Sequence, residues 1–139
     1  MKIIDGTGLV LGRLASKVAK EALNGEIISI INSEKAVVTG GKKDTLDQYK
    51  ELRSVGSRYK GPFFPRQPNL IVNRTIRGML PYKKEKGIKA YKRIKVYIGV
   101  PKELSGKETI TYEDAKLGFS MRKNYMTVEE ISKQLGWNG

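Results

Sequence analysis

The chain has 139 residues, 39% of them hydrophobic, with a formal charge of +13 and a pI near 9.9; this length fits one domain with one buried core, and so much charge calls for an anionic partner. Cysteine and histidine are absent, which excludes disulfides, thiolate metal sites and the side chain most used for proton transfer near neutral pH. No run approaches the ~18 apolar residues of a membrane span, and the opening segment lacks the apolar core of a signal peptide, so an intracellular, soluble protein is expected.

Lys2 to Asp5 reads as a short strand, followed by a turn at Gly6, Thr7 and Gly8. From Leu11 the apolar residues Leu11, Leu14, Ala15, Val18, Ala19, Ala22 and Leu23 recur at the spacing of one helical face, and Asn24-Gly25 closes that helix. Glu26 to Ile31, rich in Ile, predicts a buried strand, so the first thirty residues make a β-α-β unit with a right-handed crossover and a parallel sheet. Ala36 to Thr39 is a further short apolar piece before Gly40-Gly41. Asp44 to Arg53 has the polarity of an exposed helix with an acidic first turn.

Residues 54–68, SVGSRYKGPFFPRQP, combine glycines, prolines, aromatics and cations, and so predict a long functional loop. Asn69 to Met79 is helix-like, with Leu70, Ile76, Met79 and Leu80 available for a core face, and Pro81 breaks the run. Lys83 to Gly87 reads as a basic turn. Ile94 to Ile98 alternates as a half-buried strand does, ended by Gly99 and Pro101. Thr127 and Glu130 have the spacing of a capping box at the start of a last helix, whose apolar stripe is Val128, Ile131, Leu135 and Trp137. There is no internal repeat and no linker between domains.

The charge is not spread evenly. Residues 1–41 carry five Lys or Arg against four acids, residues 96–139 six against six, and residues 42–95 sixteen against four, a net of +12 in one block. A solvated surface normally mixes signs, whereas a single-sign field repels itself in the folded state unless a polyanion neutralises it. Nucleic acid is the obvious polyanion. In the loop, bases can stack on Tyr59, Phe63 and Phe64 while Arg58, Lys60 and Arg66 hold phosphates, a pairing suited to irregular RNA. In residues 74–97, Glu85 is the only acid against nine cations.

Two nucleotide-site patterns fail. Gly6-Thr7-Gly8 resembles the start of a dinucleotide fingerprint, but the third glycine falls at Gly12 rather than at position 11, which is Leu. Gly40-Gly41-Lys42 is similar to the end of a phosphate loop, but Ala36 stands where that motif needs glycine and Lys43 where it needs Ser or Thr. The pair of glycines still allows backbone to approach a phosphate, with Lys42 and Lys43 adding charge.

The blocks IDGTGLVLGRLASKVAK, INSEKAVVTGGK, RGMLPYK and AYKRIKVYIGVP, in that order over residues 3–101, resemble the large-subunit ribosomal protein family called L-thirteen. The resemblance implies an α/β fold, one three-layer domain around a small, mainly parallel sheet of about four strands flanked by helices, with the long basic loop and a helical C-terminal extension. It implies a family core at 1–101 and an extension at 102–139 within a single domain at 1–139. It implies no enzymatic activity, no cofactor, no metal and no small-molecule substrate. The expected partners are large-subunit ribosomal RNA and neighbouring ribosomal proteins in the cytoplasm, with a part in subunit assembly. Gly25 runs almost directly into the second strand, and the extension is long, which is similar to the archaeal and eukaryotic branch; Leu117 to Tyr125 could reach RNA or a protein neighbour. Arg13, Lys42, Lys43, Arg74, Arg77, Lys83, Lys84, Lys92, Arg93 and Lys95 lie in or beside the matching blocks and are the expected RNA contacts, joined on physical grounds by Arg58, Lys60 and Arg66. Arg77 has an alternative use, fixing the core through a carboxylate. The rival readings are a sequence-specific DNA-binding protein, which needs a recognition helix the chain lacks, and a nucleotide-binding enzyme, which needs an intact phosphate loop.

Overall fold

A computed structural model describes residues 1–39, 42–54, 66–116 and 125–137. In chain order these form β1 (Lys2–Asp5), α1 (Leu11–Leu23), β2 (Ile28–Ile31), β3 (Val37–Thr39), α2 (Lys42–Ser54), α3 (Pro68–Gly78), α4 (Glu85–Lys92), β4 (Ile94–Val96), β5 (Tyr125–Thr127) and α5 (Val128–Gln134), with single 3-10 turns at Ser33–Lys35, Lys102–Leu104 and Glu113–Ala115. The fold is α/β in one domain, as the sequence predicts.

The central sheet is parallel, in the order β1-β2-β4. Its register places Ile4 beside Ile30 and Ile30 beside Val96, while Ile28 lies beside Ile94. Alternate residues of a strand face the same way, so Ile4, Ile28, Ile30 and Ile94 look into the main core under α1, α3 and α4, while Ile3 and Ile31 look the other way and pack with Leu104 and Tyr97. Among the described residues, the second face is thus covered by the turn at Lys102–Leu104.

Instead of a fourth parallel strand, β3 pairs antiparallel with β5 in a separate two-stranded sheet, Val38 opposite Met126. The strand at Tyr125–Thr127 has no apolar run of its own, and its only buried residue is Met126. Residues beyond 101 are part of the core and do not simply extend it: Ala115, Met126, Val128, Ile131 and Leu135 are buried with Ile71, Val72 and Ile76 of α3 in one cluster. Ile110 makes a parallel bridge to Ile4, and Val10 N–H donates to the carbonyl of Ala115.

Several expected faces are corrected. Leu23 is exposed, because each residue turns the helix by about 100° and carries position 23 past the edge of the stripe centred on Leu11, Ala15 and Ala22. Leu70 lies opposite the buried face of α3, made by Ile71, Val72 and Ile76, and Met79 sits at the C-cap, after which Leu80 turns inward. β2 begins at Ile28, so Glu26 and Ile27 stay outside it with Ile27 exposed, and β4 ends at Val96 with Ile98 exposed. The expected basic turn at Lys83–Gly87 is instead the entry to α4, whose only buried residues are Gly87 and Ala90. A helix that buries nothing larger than alanine leaves no apolar stripe to read. The close seat of α4 explains Gly87: a Cβ there would lie 1.9 Å from the carbonyl oxygen of Pro81 and 2.3 Å from its carbon.

Candidate nucleic-acid interface

β1 ends at Asp5, whose Oδ1 accepts from the Thr7 amide at 3.0 Å, the Thr7 hydroxyl at 2.7 Å and Asn32 Nδ2 at 3.2 Å. Burial opposes its charge, but those three hydrogen bonds, with Lys35 nearby, outweigh it and hold the carboxyl below its ordinary range. The glycine turn is therefore braced by a carboxylate of its own strand, and that leaves no open cradle for a nucleotide. Asn32 takes the left-handed conformation, φ 54°, which asparagine tolerates and which brings its amide to Asp5.

The predicted contact residues fall into groups. Arg13 is exposed on the first turn of α1 and lines an open cleft of about 370 Å³ with Gly12, Ser16 and Lys17. Arg74 and Arg77 share a face at the end of α3, where with Gly78 and Tyr82 they line a smaller cleft of about 150 Å³. The Arg77 guanidinium stacks over the Tyr82 ring at 4.5 Å and pairs with no carboxylate among the described residues, so the alternative use of Arg77 in the core is not what the structure shows. Lys83 and Lys84 follow directly and are exposed.

Lys92, Arg93 and Lys95 line a third cleft of about 240 Å³ with Met1, Ile27, Tyr97 and Lys107. Within it Lys92 and Lys95 are exposed, whereas Arg93 donates through Nη1 to the Ala22 carbonyl at 2.8 Å and so closes the C-terminal end of α1. Lys43 is exposed on the first turn of α2, and Arg66 is exposed just before α3, its guanidinium beside Gly136 at the end of α5. Arg58, Lys60, Tyr59, Phe63, Phe64 and the pair Gly40-Gly41 lie outside the described residues, as do the side chain of Lys42 and residues 117–124.

Ion pairing separates the charge block from the rest. Outside the block Lys2 pairs with Glu21, Lys116 with Glu113 and Lys133 with Glu129, at 3.4, 3.1 and 3.2 Å. Inside it the described pair is Lys89 with Glu85 at 3.2 Å, which takes the one acid of residues 74–97. Lys43, Lys83, Lys84, Lys92 and Lys95 have no ion pair among the described residues. The network at the edge of α1 is structural: the Tyr112 hydroxyl donates to Glu21 Oε2 at 2.6 Å, Lys17 lies 5.6 Å from the Tyr112 ring, and burial together with Glu21 pushes the phenol well above its ordinary value.

Reasoning from sequence missed Tyr82, Gly78, Gly12, Lys17 and Lys107. Tyr82 was findable, since an aromatic between Pro81 and two lysines belongs to the same pattern as the loop; Lys107 lies outside the charge block and is brought in only by the chain crossing the sheet. Among the described residues no acidic cluster is placed to hold a metal, and no helix is long and apolar enough to cross a membrane.

The sequence profile described as Ribosomal protein L13 matches residues 1–103. The chain is 50% identical over 138 residues to the large ribosomal subunit protein uL13 of Archaeoglobus fulgidus, which covers 99% of this chain and 88% of that one. It is 50% identical over 137 residues to the protein of that name from Methanosarcina barkeri and 49% identical over 140 residues to the one from Methanocaldococcus jannaschii, with 98% of both chains covered in each case.

Proposed function

The chain belongs to the ribosomal protein L13 family, and from that premise we propose that it is a cytoplasmic constituent of the large ribosomal subunit that binds ribosomal RNA, touches neighbouring ribosomal proteins and supports assembly of the subunit, without catalysing a reaction. The observation that carries the reading is the run of exposed cations with no ion pair among the described residues, Lys43, Lys83, Lys84, Lys92 and Lys95, set beside the packed core. Such charges are neutralised by phosphates, with release of the counterions that surround RNA. Arg13, Lys42, Arg58, Lys60, Arg66, Arg74 and Arg77 complete the proposed contact set, while Arg93 serves it from behind through the end of α1.

Residues 1–139 act as one domain in this reading. Electrostatic docking brings protein and RNA together, and the rigid core then holds the basic segments against one folded RNA junction, because RNA is recognised largely by shape. A DNA-binding alternative draws less support from the helices: Arg74 and Arg77 of α3 and Lys92 of α4 lie beside clefts, not on a protruding recognition face.

The test is sedimentation of lysate through a sucrose gradient with detection of the chain, followed by graded salt washes of the large-subunit fraction. Co-migration with the large subunit is expected. For the isolated protein on protein-free RNA, engagement of six to ten phosphates predicts a loss of roughly a thousand- to a hundred-thousand-fold in affinity between 50 and 200 mM salt. A chain that stays at the top of the gradient refutes the proposal.

A further inference from the structure

We infer that the cleft at the end of α3, lined by Arg74, Arg77, Gly78 and Tyr82, seats a phosphodiester of RNA, and that position 78 is glycine so that the nucleic-acid backbone can lie against the helix. This rests on the RNA-binding reading above and names where one part of that contact is made.

Glycine in a helix costs up to about 1 kcal/mol relative to alanine, the full amount in the interior, so a helical glycine invites a reason. Three stand in the described helices: Gly12 in the first turn of α1, Gly78 as the last residue of α3, and Gly87 within α4. Gly87 has its reason inside the protein, the Pro81 backbone against its α-carbon. Gly78 does not. A Cβ there would meet nothing within 4 Å, and the residue is not among those with positive φ, so neither packing nor a left-handed cap requires it. What remains is approach from outside.

The surroundings specify what approaches. Lying over the Tyr82 ring at 4.5 Å, the Arg77 guanidinium is held in place while its in-plane N–H groups, which can grip phosphate oxygens in pairs, need no ring contact. Arg74 stands one turn earlier on the same helix. Among the described residues no carboxylate lines the cleft, and Lys83 and Lys84 continue the positive field beyond Tyr82. The space, about 150 Å³, is below the roughly 300–1,000 Å³ of a small-molecule pocket and suits one backbone unit. Tyr82 in its wall is 39% exposed, and Met79, next to Gly78 in sequence, 44%, apolar surface of the kind on which a ribose or base rests.

The same combination recurs independently on α1. Gly12 also lacks both a positive φ and any neighbour within 4 Å of a Cβ, and it too lines a cleft with cationic side chains, Arg13 and Lys17. Helical glycines that the fold does not use are therefore found where the basic clefts are.

The test compares wild type, Gly78→Ala, Gly78→Leu and Arg77→Ala for binding to in vitro transcribed large-subunit ribosomal RNA across a series of KCl concentrations, with thermal unfolding of each protein alone. Gly78→Ala and Gly78→Leu are expected to fold with a melting temperature equal to or above wild type, and to bind more weakly, Leu by about tenfold or more, with an unchanged slope of log affinity against log salt, because no cation is lost. Arg77→Ala is expected to lower both affinity and slope. Wild-type affinity in both glycine variants overturns the inference and leaves the RNA-binding reading standing; a wild-type protein that does not bind the RNA overturns both. Should the leucine variant unfold, the alanine variant decides, since a methyl group there has open space.

Discussion

Gly87→Ala tests whether the approach of α4 to the preceding turn sets the geometry of the basic face. Two effects of known sign oppose each other. Alanine in place of a helical glycine is worth about 1 kcal/mol in stability. Against it, the new methyl carbon would stand 1.9 Å from the Pro81 oxygen, 2.3 Å from the Pro81 carbon and 2.9 Å from the Tyr82 nitrogen. These are backbone atoms that cannot rotate aside, so α4 and the Pro81–Lys84 turn must part by more than an ångström. That movement strains the bonds from Lys84 N–H to the Pro81 carbonyl and from Ile88 N–H to the Lys84 carbonyl, 2.9 and 3.0 Å, and lifts Ala90 from the core. Overpacking of this kind costs typically 1–3 kcal/mol and occasionally more; with rigid groups on both sides the upper end applies, and the net loss expected is about 1–2 kcal/mol. With an unfolding entropy of about 2.1 cal/mol/K per residue, a chain of 139 residues loses roughly 3 °C of melting temperature per kcal/mol. Gly87→Ala should therefore melt about 3–7 °C below wild type by circular dichroism. A melting temperature equal to or above that of wild type, the result of helix propensity alone, would refute the reasoning.

Three further outcomes are expected. Arg93→Ala removes a charge-assisted bond to the Ala22 carbonyl and should cost about 1.5–3 kcal/mol in urea unfolding, whereas Lys92→Ala, one residue away and exposed, should stay within about 0.5 kcal/mol yet lower the salt slope of RNA binding by about one. Thr127→Ala deletes the side-chain cap that accepts from the Glu130 amide at 3.2 Å and should destabilise by about 1 kcal/mol in the same assay. Asp5 releases its proton more readily folded than unfolded, so its contribution is complete above the ordinary value of 3.8 and is lost as pH falls through the lower folded value; the gap in urea midpoint between wild type and Asp5→Asn should be widest near neutral pH and close in acid, and a gap that does not change with pH refutes the assignment.

What could be read from sequence were the elements that bury large side chains at a regular period. Leu11, Leu14, Val18 and Ala22 announce α1, Ile28, Ile30 and Ile31 announce β2, and the capping pair Thr127 and Glu130 marks the start of α5. Elements that fit by smallness or by distant pairing left no such trace. α4 fully buries only Gly87 and Ala90, and β5 exists because β3, nearly ninety residues earlier, offers it an edge. The candidate site was legible as a block of charge, since net charge needs no structure to count. Its division was not, because the clefts depend on which cations end beside a glycine, as Arg74 and Arg77 do, and which are turned inward to a carbonyl, as Arg93 is.

The pairing of β3 with β5 has a bearing on how the chain is made. Synthesis runs from the N-terminal side, so the whole cationic stretch from Lys42 to Lys95 exists before Tyr125–Thr127 can be added to β3, and before Val128, Ile131 and Leu135 can be laid against α3. For that interval the nascent polypeptide carries its full positive charge on a core whose last wall is missing, with the edge of β3 open and the apolar side of α3 part-covered. Any anionic polymer met in that interval meets an unfinished protein, and a burst of production without enough RNA to receive it would present aggregation-prone chains rather than idle, folded ones.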